Sequence, residues 1–384
     1  MPEAIVVGAG VVGASVAFHL AEKGIDTLVV DREGPAAGST ARSGALIRAH
    51  YPTALGADLA WESLTEYFEP WGERVGGGCG FTRTGFAYLA GEDGVEALRH
   101  NVTLQRGVGV ETDLIGPEEL RELDPTLRPA GVALAAYEPR GGYADPTATA
   151  VGFLSASLAR GGRFERRRVT SLRTRGSEVV GVQTERGPLD APVVVLAAGA
   201  WSVPLAASVG LELPISPARV QVALFERPYS LPTHLTLIDS ALGFYARPTA
   251  ERATLVGARA SLSWLDDPDV WDPELDLAFV EEAADLLSRR IPVLGGAPYR
   301  SGRGAGRDPR RQAHLGAGGS GGVVPRRRVE RGRVQESSHR GGRGCVLDLR
   351  RRPSQGEVES VHARPLPLGR PHPRGARAGR KTPH

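Results

Sequence analysis

A glycine-rich turn near the start of the chain constrains its fold more than any other feature. The turn, Gly8–Gly13, reads GAGVVG, and it follows an apolar segment, Ala4–Val7, that predicts a short buried strand. Val11–Lys23 predicts a helix, and Asp26–Asp31 predicts the next strand. This order of strand, turn, helix and strand is typical of the βαβ unit that binds dinucleotides.

Each glycine of the turn meets a steric requirement of nucleotide binding. Gly8 permits the tight turn, Gly10 lets a pyrophosphate approach the backbone, and Gly13 lets the helix pack on the strand. Free N–H groups and the positive end of the helix dipole favour phosphate at the helix N-terminus. Asp31 ends the second strand, where a carboxylate accepts hydrogen bonds from a ribose diol and repels a 2′-phosphate. We therefore predict a dinucleotide site at this turn.

A polar loop follows the second strand and indicates which dinucleotide is bound. This loop, Gly38–Tyr51, reads GSTARSGALIRAHY. Taken with the glycine turn and Asp31, it resembles the D-amino-acid oxidase superfamily of FAD-dependent oxidoreductases, which includes sarcosine and glycine oxidases. The resemblance implies that the loop packs against the FAD pyrophosphate and the flavin ring. A solvated polar loop is the alternative.

Three later segments occur in the order of that family. Gly142–Pro146 reads GYADP before a predicted helix, Arg168–Leu172 predicts a strand, and Val193–Ser202 predicts a buried strand that ends in a glycine turn. The resemblance implies that a valine of the middle strand lies against the adenine. The resemblance covers about residues 3–295 and implies FAD as the cofactor. The residues that it assigns to FAD are Gly8, Gly10, Val12, Gly13, Asp31, Arg32, Ser39, Thr40, Arg42, Ser43, Gly44, Val169, Ala198, Gly199 and Trp201.

The predicted fold is α/β, with a Rossmann-like FAD-binding domain and an interleaved antiparallel substrate-binding sheet in an α+β layer. Short alternating segments predict that sheet at 81–90, 217–226, 243–248 and 253–260, and an amphipathic helix is predicted at 272–290. Both domains are expected to be discontinuous. The FAD-binding domain is predicted at 1–80 and 140–215, and the substrate-binding domain at 81–139 and 216–295.

Substrate-binding residues are expected on the polar loop and on one strand of the second sheet. The resemblance implies that Arg48 holds a substrate carboxylate, which suits an arginine because its guanidinium donates two parallel hydrogen bonds. A salt bridge within the protein is the alternative. His50 is a candidate base, although a single histidine is more often structural. The predicted catalytic residues are Arg48, Tyr51, His50, Tyr245 and Arg247, and no spacing typical of metal ligands stands out.

The charge of the chain changes sign near residue 300. Residues 301–384 contain nineteen Arg, one Lys and six acidic residues, so this tail has a formal charge of +14, which leaves −11 for residues 1–300. The tail has sixteen Gly and no Phe, Tyr, Trp, Ile or Met, a composition that predicts disorder. A basic arm that binds polyanions is one interpretation.

A shifted reading frame is a second interpretation of the tail. The resemblance implies a T-P-D-G-x-P element and a lysine-containing element here, and neither is present as written. A frame shifted by one base can encode T-P-D-G-K-P from Asp308–His314 and F-K-K-A-P from the segment that begins at Val334. We therefore hypothesise a one-base slip between Gly295 and Arg307, which makes residues 301–384 out-of-frame translation.

The sequence predicts an FAD-dependent oxidoreductase that oxidises the CH–NH bond of an amino acid or N-methyl amino acid by hydride transfer to flavin. Its expected partners are that small substrate and either O₂ or an electron carrier, with no specific nucleic acid and no membrane insertion. Two cysteines make no disulfide framework and the basic start of a signal peptide is missing, so a cytoplasmic location is expected. The alternatives are a catalytically impaired flavoprotein remnant with a polyanion-binding tail, and a nicotinamide-dependent dehydrogenase.

Overall fold

The computed structural model describes residues 1–259, 262–270 and 274–300, and the backbone of two short strands farther along the chain. The helices are α1 (Val11–Glu22), α2 (Ala54–Ser63), α3 (Trp71–Arg74), α4 (Val95–Gly107), α5 (Pro117–Leu123), α6 (Pro146–Ala159), α7 (Ser202–Ala207) and α8 (Leu277–Arg290). The strands are β1 (Ala4–Val7), β2 (Thr27–Asp31), β3 (Leu46–Ile47), β4 (Phe86–Ala90), β5 (Asp113–Ile115), β6 (Leu134–Glu138), β7 (Gly142–Tyr143), β8 (Arg163–Arg166), β9 (Val169–Arg175), β10 (Glu178–Thr184), β11 (Gly187–Asp190), β12 (Val193–Leu196), β13 (Ile215–Ser216), β14 (Ala218–Glu226), β15 (Thr236–Asp239), β16 (Phe244–Pro248), β17 (Ala253–Ala258), β18 (Ser263–Trp264), β19 (Ala313–Leu315) and β20 (Val324–Pro325). The hypotheses of a disordered tail and of a shifted reading frame concern residues 301–384. Apart from the backbone of those two strands, these residues lie outside the described part of the chain.

Four parallel strands form the first sheet, in the order β12-β1-β2-β8. The sequences AIVV in β1 and VVVL in β12 are wholly apolar, because both faces of this sheet are covered. On one face α1 packs against α6, where the ring centroids of Phe18 and Phe153 lie 5.4 Å apart. The other face, with Ile5 and Val30, packs against α7 and the small sheet β11-β10-β9. The carboxyl ends of β1 and β2 thus meet at one open edge.

The second sheet is larger and has the order β18-β14-β17-β16-β15-β4-β6-β5, with β19 also paired to β14. Its pairs are antiparallel except that of β4 with β15, which is parallel, so the sheet is mixed rather than purely antiparallel as expected. One face packs on α8, and β4, β6 and β16 contribute Leu89, Ala135 and Phe244 to that core. Side chains alternate between the faces of a strand, so Glu138 and Tyr245 point to the opposite face.

The predicted α/β fold class is confirmed. The strands of the first sheet lie within the ranges predicted for the FAD-binding domain, and those of the second sheet, apart from β19, lie within the ranges predicted for the substrate-binding domain. The division into two domains itself stays a prediction. The strand expected at 81–90 begins only at Phe86. In the part of the chain that the structure describes, no helix is both long and apolar enough to cross a membrane.

Candidate active site

The glycine turn is packed so closely that side chains are excluded from it. A Cβ atom at Gly8 would lie 2.4 Å from the carbonyl oxygen of Ala197, and one at Gly13 would lie 1.9 Å from the carbonyl oxygen of Gly8. Gly8 also has a φ of 108°, a region that residues with a Cβ rarely adopt. The end of β1, the start of α1 and the end of β12 therefore meet so closely that Gly8 and Gly13 have no space for a side chain.

The N-terminus of α1 presents free amides at this turn. The Val11 amide donates to Thr40 Oγ1 at 3.0 Å, and the Ala14 amide donates to the Gly10 carbonyl at 2.9 Å. Between them, the amides of Val12 and Gly13 have no acceptor among the residues that the structure describes. Free amides at the positive end of a helix dipole are a site for a phosphate group.

Asp31 ends β2 and connects the glycine turn to the next loop. Its Oδ2 accepts a hydrogen bond from the Ala9 amide at 2.8 Å. Its Oδ1 accepts from the amides of Glu33 at 2.8 Å and Gly34 at 3.0 Å. Oδ2 retains capacity for a further hydrogen bond, and Asp31 lines the cavity described next. This placement supports the predicted contact with a ribose.

A cavity of about 770 Å³ opens at the carboxyl ends of β1 and β2, where open α/β sheets bind nucleotides. Gly13, Ser43 and Gly44 were assigned to the cofactor but do not line the cavity. Arg168 and Asp269 line it and were missed. The other residues assigned to the cofactor all line it: Gly8, Gly10, Val12, Asp31, Arg32, Ser39, Thr40, Arg42, Val169, Ala198, Gly199 and Trp201.

Three side chains form a polar cluster at the rim of this cavity. The Arg32 guanidinium lies 4.6 Å from the Trp201 ring centroid and 2.9 Å from Asp269 Oδ1. The Trp201 indole N–H donates to the same oxygen at 2.8 Å. The Arg32 guanidinium holds the pKa of Asp269 below its usual range. The segment before α8 is thereby attached to the residues that follow β2 and precede α7.

The second sheet meets the polar loop at Gly44. A Cβ atom there would lie 3.0 Å from Cε2 of Tyr245, and Nε of Arg247 donates to the Gly44 carbonyl. Arg247 also donates to the Pro248 carbonyl at 3.0 Å, and its guanidinium lies 4.7 Å from the Tyr143 ring centroid. Burial raises the pKa of Tyr245 to about 12, so its hydroxyl stays protonated at neutral pH. Both predicted side chains thus lie where loop and sheet touch.

Arg48 follows β3 on the same loop and is partly exposed. Its guanidinium lies 4.3 Å from the Tyr51 ring centroid and 5.8 Å from that of Phe86, and it donates to the His50 carbonyl. Its Nε is buried and has no partner among the described residues. Within that part of the chain no carboxylate oxygen lies within 4.0 Å of its nitrogens. The alternative of an internal salt bridge is therefore not observed there.

His50 is packed rather than exposed. It is 4% exposed, and its ring stacks on Tyr88 with centroids 4.5 Å apart. Burial, helped by the charge of Arg48, lowers its pKa to about 4. The imidazole is therefore neutral at neutral pH, and its stacking on the second sheet is the arrangement expected of a structural histidine.

Glu138, at the end of β6, was missed by the sequence analysis. It is 1% exposed, and its Oε2 accepts a hydrogen bond from the Ala49 amide at 2.8 Å. Burial raises its pKa to about 7. A signal was available: Leu134–Glu138 reads LAAYE, and strand alternation places the acid on the same face as the buried Ala136.

Comparison with known proteins assigns the chain to a family. The family model described as "FAD dependent oxidoreductase" (DAO) matches residues 3–325, which extends past residue 295, where the sequence resemblance was expected to end. This chain belongs to that family of FAD-dependent oxidoreductases, as the sequence predicted, and is therefore an enzyme of an FAD-dependent family.

Two relatives and two solved structures show the range of similarity. Human dimethylglycine dehydrogenase is 27% identical over 310 residues, which cover 76% of this chain and 36% of that protein. Glycine oxidase from Geobacillus kaustophilus is 27% identical over 272 residues, covering 68% of this chain and 71% of that protein. L-proline dehydrogenase from P. horikoshii superposes with a TM-score of 0.72 at 25% identity, covering 81% of this chain and 86% of that chain. The glycine oxidase structure shares the fold, with a TM-score of 0.70 at 22% identity, covering 88% of this chain and 86% of that chain.

The chain spans about a third of the length of the dimethylglycine and sarcosine dehydrogenases that it matches, 36% and 33% respectively. What the complete relatives bind and convert is therefore a property of those longer proteins.

The residues present fit FAD, which membership of the family implies. The glycine turn has no room for side chains, the amides of Val12 and Gly13 lack acceptors in the described part of the chain, and the Asp31 carboxylate faces the cavity. The exposed side chain of Val12 also lines the cavity, at 44% exposure. The close turn and its free amides suit a pyrophosphate, the Asp31 carboxylate suits a ribose, and the Val12 side chain suits an apolar part of the cofactor.

Proposed function

We propose that the chain is an FAD-dependent oxidoreductase that oxidises the CH–NH bond of an amino acid or N-methyl amino acid. The chemistry that FAD supplies when bound is acceptance of a hydride from the carbon next to nitrogen, which leaves an imine that water hydrolyses. The chain's own residues bind the cofactor, orient the substrate and exclude water.

The observation that carries this proposal is that Arg48 is partly exposed and has no carboxylate partner among the described residues. Its guanidinium rests against the Tyr51 ring. A cation held in this way is ready to bind a carboxylate through paired hydrogen bonds. The same loop carries Ser39 and Thr40, which line the cofactor cavity. A substrate carboxylate on Arg48 would therefore lie on the loop that also contacts the cofactor.

The names of the relatives support the substrate class. Dimethylglycine, sarcosine, glycine, 4-methylaminobutanoate and L-proline each combine a carboxylate with an amine or a methylated amine. A substrate with these two groups can bind its carboxylate to a single arginine and place the carbon next to its amine beside the cofactor. We propose Tyr51, Tyr245 and Arg247 as the neighbouring side chains that shape this pocket, and His50 as packing beneath it.

The test is anaerobic reduction of the FAD-loaded protein by a panel of primary, secondary and tertiary amines. Amino acids and N-methyl amino acids should bleach the flavin absorbance, whereas the corresponding methyl esters, which keep the amine and lose the charge, should do so far more slowly. Admission of air afterwards separates an oxidase, which regains its colour, from a dehydrogenase that needs an electron carrier. Equal bleaching by acids and esters would contradict a carboxylate site.

A further inference from the structure

Glu138 binds the backbone at the centre of the segment that carries Arg48 and His50. Its Oε2 accepts a hydrogen bond from the amide of Ala49 at 2.8 Å, and Ala49 is completely buried. The two residues are 89 positions apart in the sequence, so this bond fixes the loop to the second sheet. Loss of a buried acceptor would leave the Ala49 amide without a partner.

The position of Glu138 in the sheet places it beside Arg48. In the register of β4 with β6, Phe86 lies opposite Glu138. Phe86 is also the ring 5.8 Å from the Arg48 guanidinium. The loop segment therefore lies over this pair of residues, with the guanidinium above the ring and the Ala49 amide above the carboxyl group.

The carboxyl group of Glu138 is only half satisfied. Its Oε1 is buried and has no hydrogen-bond partner among the described residues. A buried carboxylate with one hydrogen bond is costly, and burial raises its pKa to about 7 against the opposing effects of the Ala49 amide and the Arg48 charge. The positive charge of Arg48 favours the ionised form of the Glu138 carboxyl group. His50 on the same segment has a pKa of about 4, so it stays neutral at the pH values near 7 at which Glu138 titrates.

We propose that Glu138 is a positioning residue that holds the segment around Ala49 on the substrate sheet, and that its charge state sets how strongly Arg48 binds a carboxylate. This inference rests on the proposed function, because it assumes that Arg48 is the carboxylate anchor. With Glu138 protonated, the full charge of Arg48 is available to a ligand. With Glu138 ionised, part of that charge is offset and a second anion is repelled.

The direction of the pH effect follows from these charges. A ligand carboxylate next to Glu138 raises the pKa of that residue, so binding takes up a fraction of a proton, which is largest at pH values between the free and the bound pKa. If the rise is about one pH unit, the dissociation constant increases about tenfold between pH 6 and pH 9. An uncharged ligand of the same shape shows no such change.

The experiment measures binding of acetate, with acetamide as the uncharged control, to the FAD-loaded protein. Binding is followed by the flavin difference spectrum and by calorimetry in two buffers of different ionisation enthalpy. We expect uptake of about half a proton per acetate at pH 7.5, and none with acetamide. This measurement uses the unaltered chain and does not depend on the folding of any variant.

A variant then tests the assignment to Glu138. Glu138→Gln keeps an acceptor for the Ala49 amide and removes the charge, so acetate binding should become independent of pH at the affinity of the low-pH form. Glu96→Gln, on the exposed side of α4, is the matched control and should behave as the parent. A pH dependence that is unchanged in Glu138→Gln, or acetate binding without proton uptake, overturns the inference and leaves the proposed function standing. Acetate binding that survives Arg48→Ala overturns both.

Discussion

Gly13 packs against the carbonyl oxygen of Gly8 at a distance that leaves no space for a methyl group. A Cβ atom at Gly13 would lie 1.9 Å from that oxygen and 3.3 Å from the Cβ of Ala197. Gly8 and Ala197 directly follow β1 and β12, so a side chain at Gly13 would push the start of α1, with its free amides, away from these strands. The geometry of phosphate binding thus depends on the absence of a side chain at Gly13.

Gly13→Ala should therefore weaken FAD binding at least tenfold, which corresponds to about 1.4 kcal/mol. The helix must move away from β1, and its free amides then miss the phosphates. The FAD dissociation constant, measured by quenching of flavin fluorescence, checks this result. Gly72→Ala is the matched control: a Cβ at Gly72 meets nothing within 4 Å, so FAD binding should not change. Unchanged affinity in Gly13→Ala would contradict the assigned phosphate site.

Asp269→Asn should weaken FAD binding only two- to fivefold, since ion pairs of partly exposed side chains contribute about 0–1 kcal/mol. The amide can still accept from the Trp201 indole, but the attraction to Arg32 is lost. Salt screens such pairs, so the difference between parent and variant should disappear at high ionic strength. Trp201→Ala should have a larger and salt-independent effect on the FAD dissociation constant. A deficit in Asp269→Asn that persists in salt would contradict the ion-pair explanation.

Arg48→Ala should raise KM for a carboxylate substrate about 100-fold, if a charge-assisted interaction of about 3 kcal/mol is lost. The FAD dissociation constant should stay the same, because Arg48 does not line the cofactor cavity. Steady-state kinetics and fluorescence titration measure the two quantities separately. Arg99→Ala, which removes an exposed arginine from α4, is the control. Unchanged KM in Arg48→Ala would remove this residue from the substrate site.

Arg247→Met should weaken FAD binding about tenfold, since one or two hydrogen bonds to carbonyl groups are lost at about 1 kcal/mol each. Methionine keeps an unbranched apolar stem, but it removes the guanidinium that lies over the Tyr143 ring and leaves the Gly44 carbonyl without its donor. The loop beside the cofactor then loses its attachment to β16. Titration of the apoprotein with FAD measures the effect. An increase confined to the substrate KM would instead make Arg247 a direct substrate ligand.

The stability of the protein should fall as pH decreases from 6.5 toward 4, in part because of His234. This residue donates from Nδ1 to the Leu235 carbonyl at 2.8 Å, and its Nε2 accepts from the Thr254 hydroxyl at 2.8 Å. Burial lowers its pKa to about 4. The folded state therefore favours the neutral ring, and this stability, present above pH 6.5, is lost as pH falls to the folded-state value, about 3 kcal/mol in total.

The His234 contribution is measured by urea unfolding at several pH values. His234→Asn keeps a donor for the Leu235 carbonyl and cannot titrate, so its free energy of unfolding should change less between pH 6.5 and pH 4. His100→Asn, at an exposed position of α4, should follow the parent. Identical pH dependence of parent and His234→Asn would show that His234 does not titrate in this range.

Local sequence patterns pointed to the residues at the carboxyl ends of β1 and β2, and most of the residues assigned to FAD line the cavity there. The bond of Asp31 to Ala9 lies within one βαβ unit, so local spacing is enough to suggest it, whereas Gly8 and Gly13 also pack against Ala197, which follows β12. The bond of Glu138 to Ala49 joins residues 89 positions apart, and that of Trp201 to Asp269 joins residues 68 positions apart. No local pattern specifies such contacts, because they depend on how the second sheet is placed.

Local patterns also failed to predict how the strands of the second sheet pair. Alternation predicted β16 and β17 close to their observed bounds. It did not predict that β15 pairs with β4 in parallel, since Thr236–Asp239 and Phe86–Ala90 are brought together by a long connection. His50 shows the converse: a polar residue in a functional loop was a candidate base, and its stacking on Tyr88 could be seen only in the assembled sheet.

The polar loop is one continuous segment that is held at both ends. Near its start the Thr40 hydroxyl accepts from the Val11 amide beside the cofactor cavity, whereas near its end the Ala49 amide donates to Glu138 on the second sheet. A ligand that restricts one end lowers the entropic cost of ordering the other. We therefore expect a positive coupling free energy between the two ligands: a bound carboxylate should tighten FAD binding by the same factor by which FAD tightens carboxylate binding.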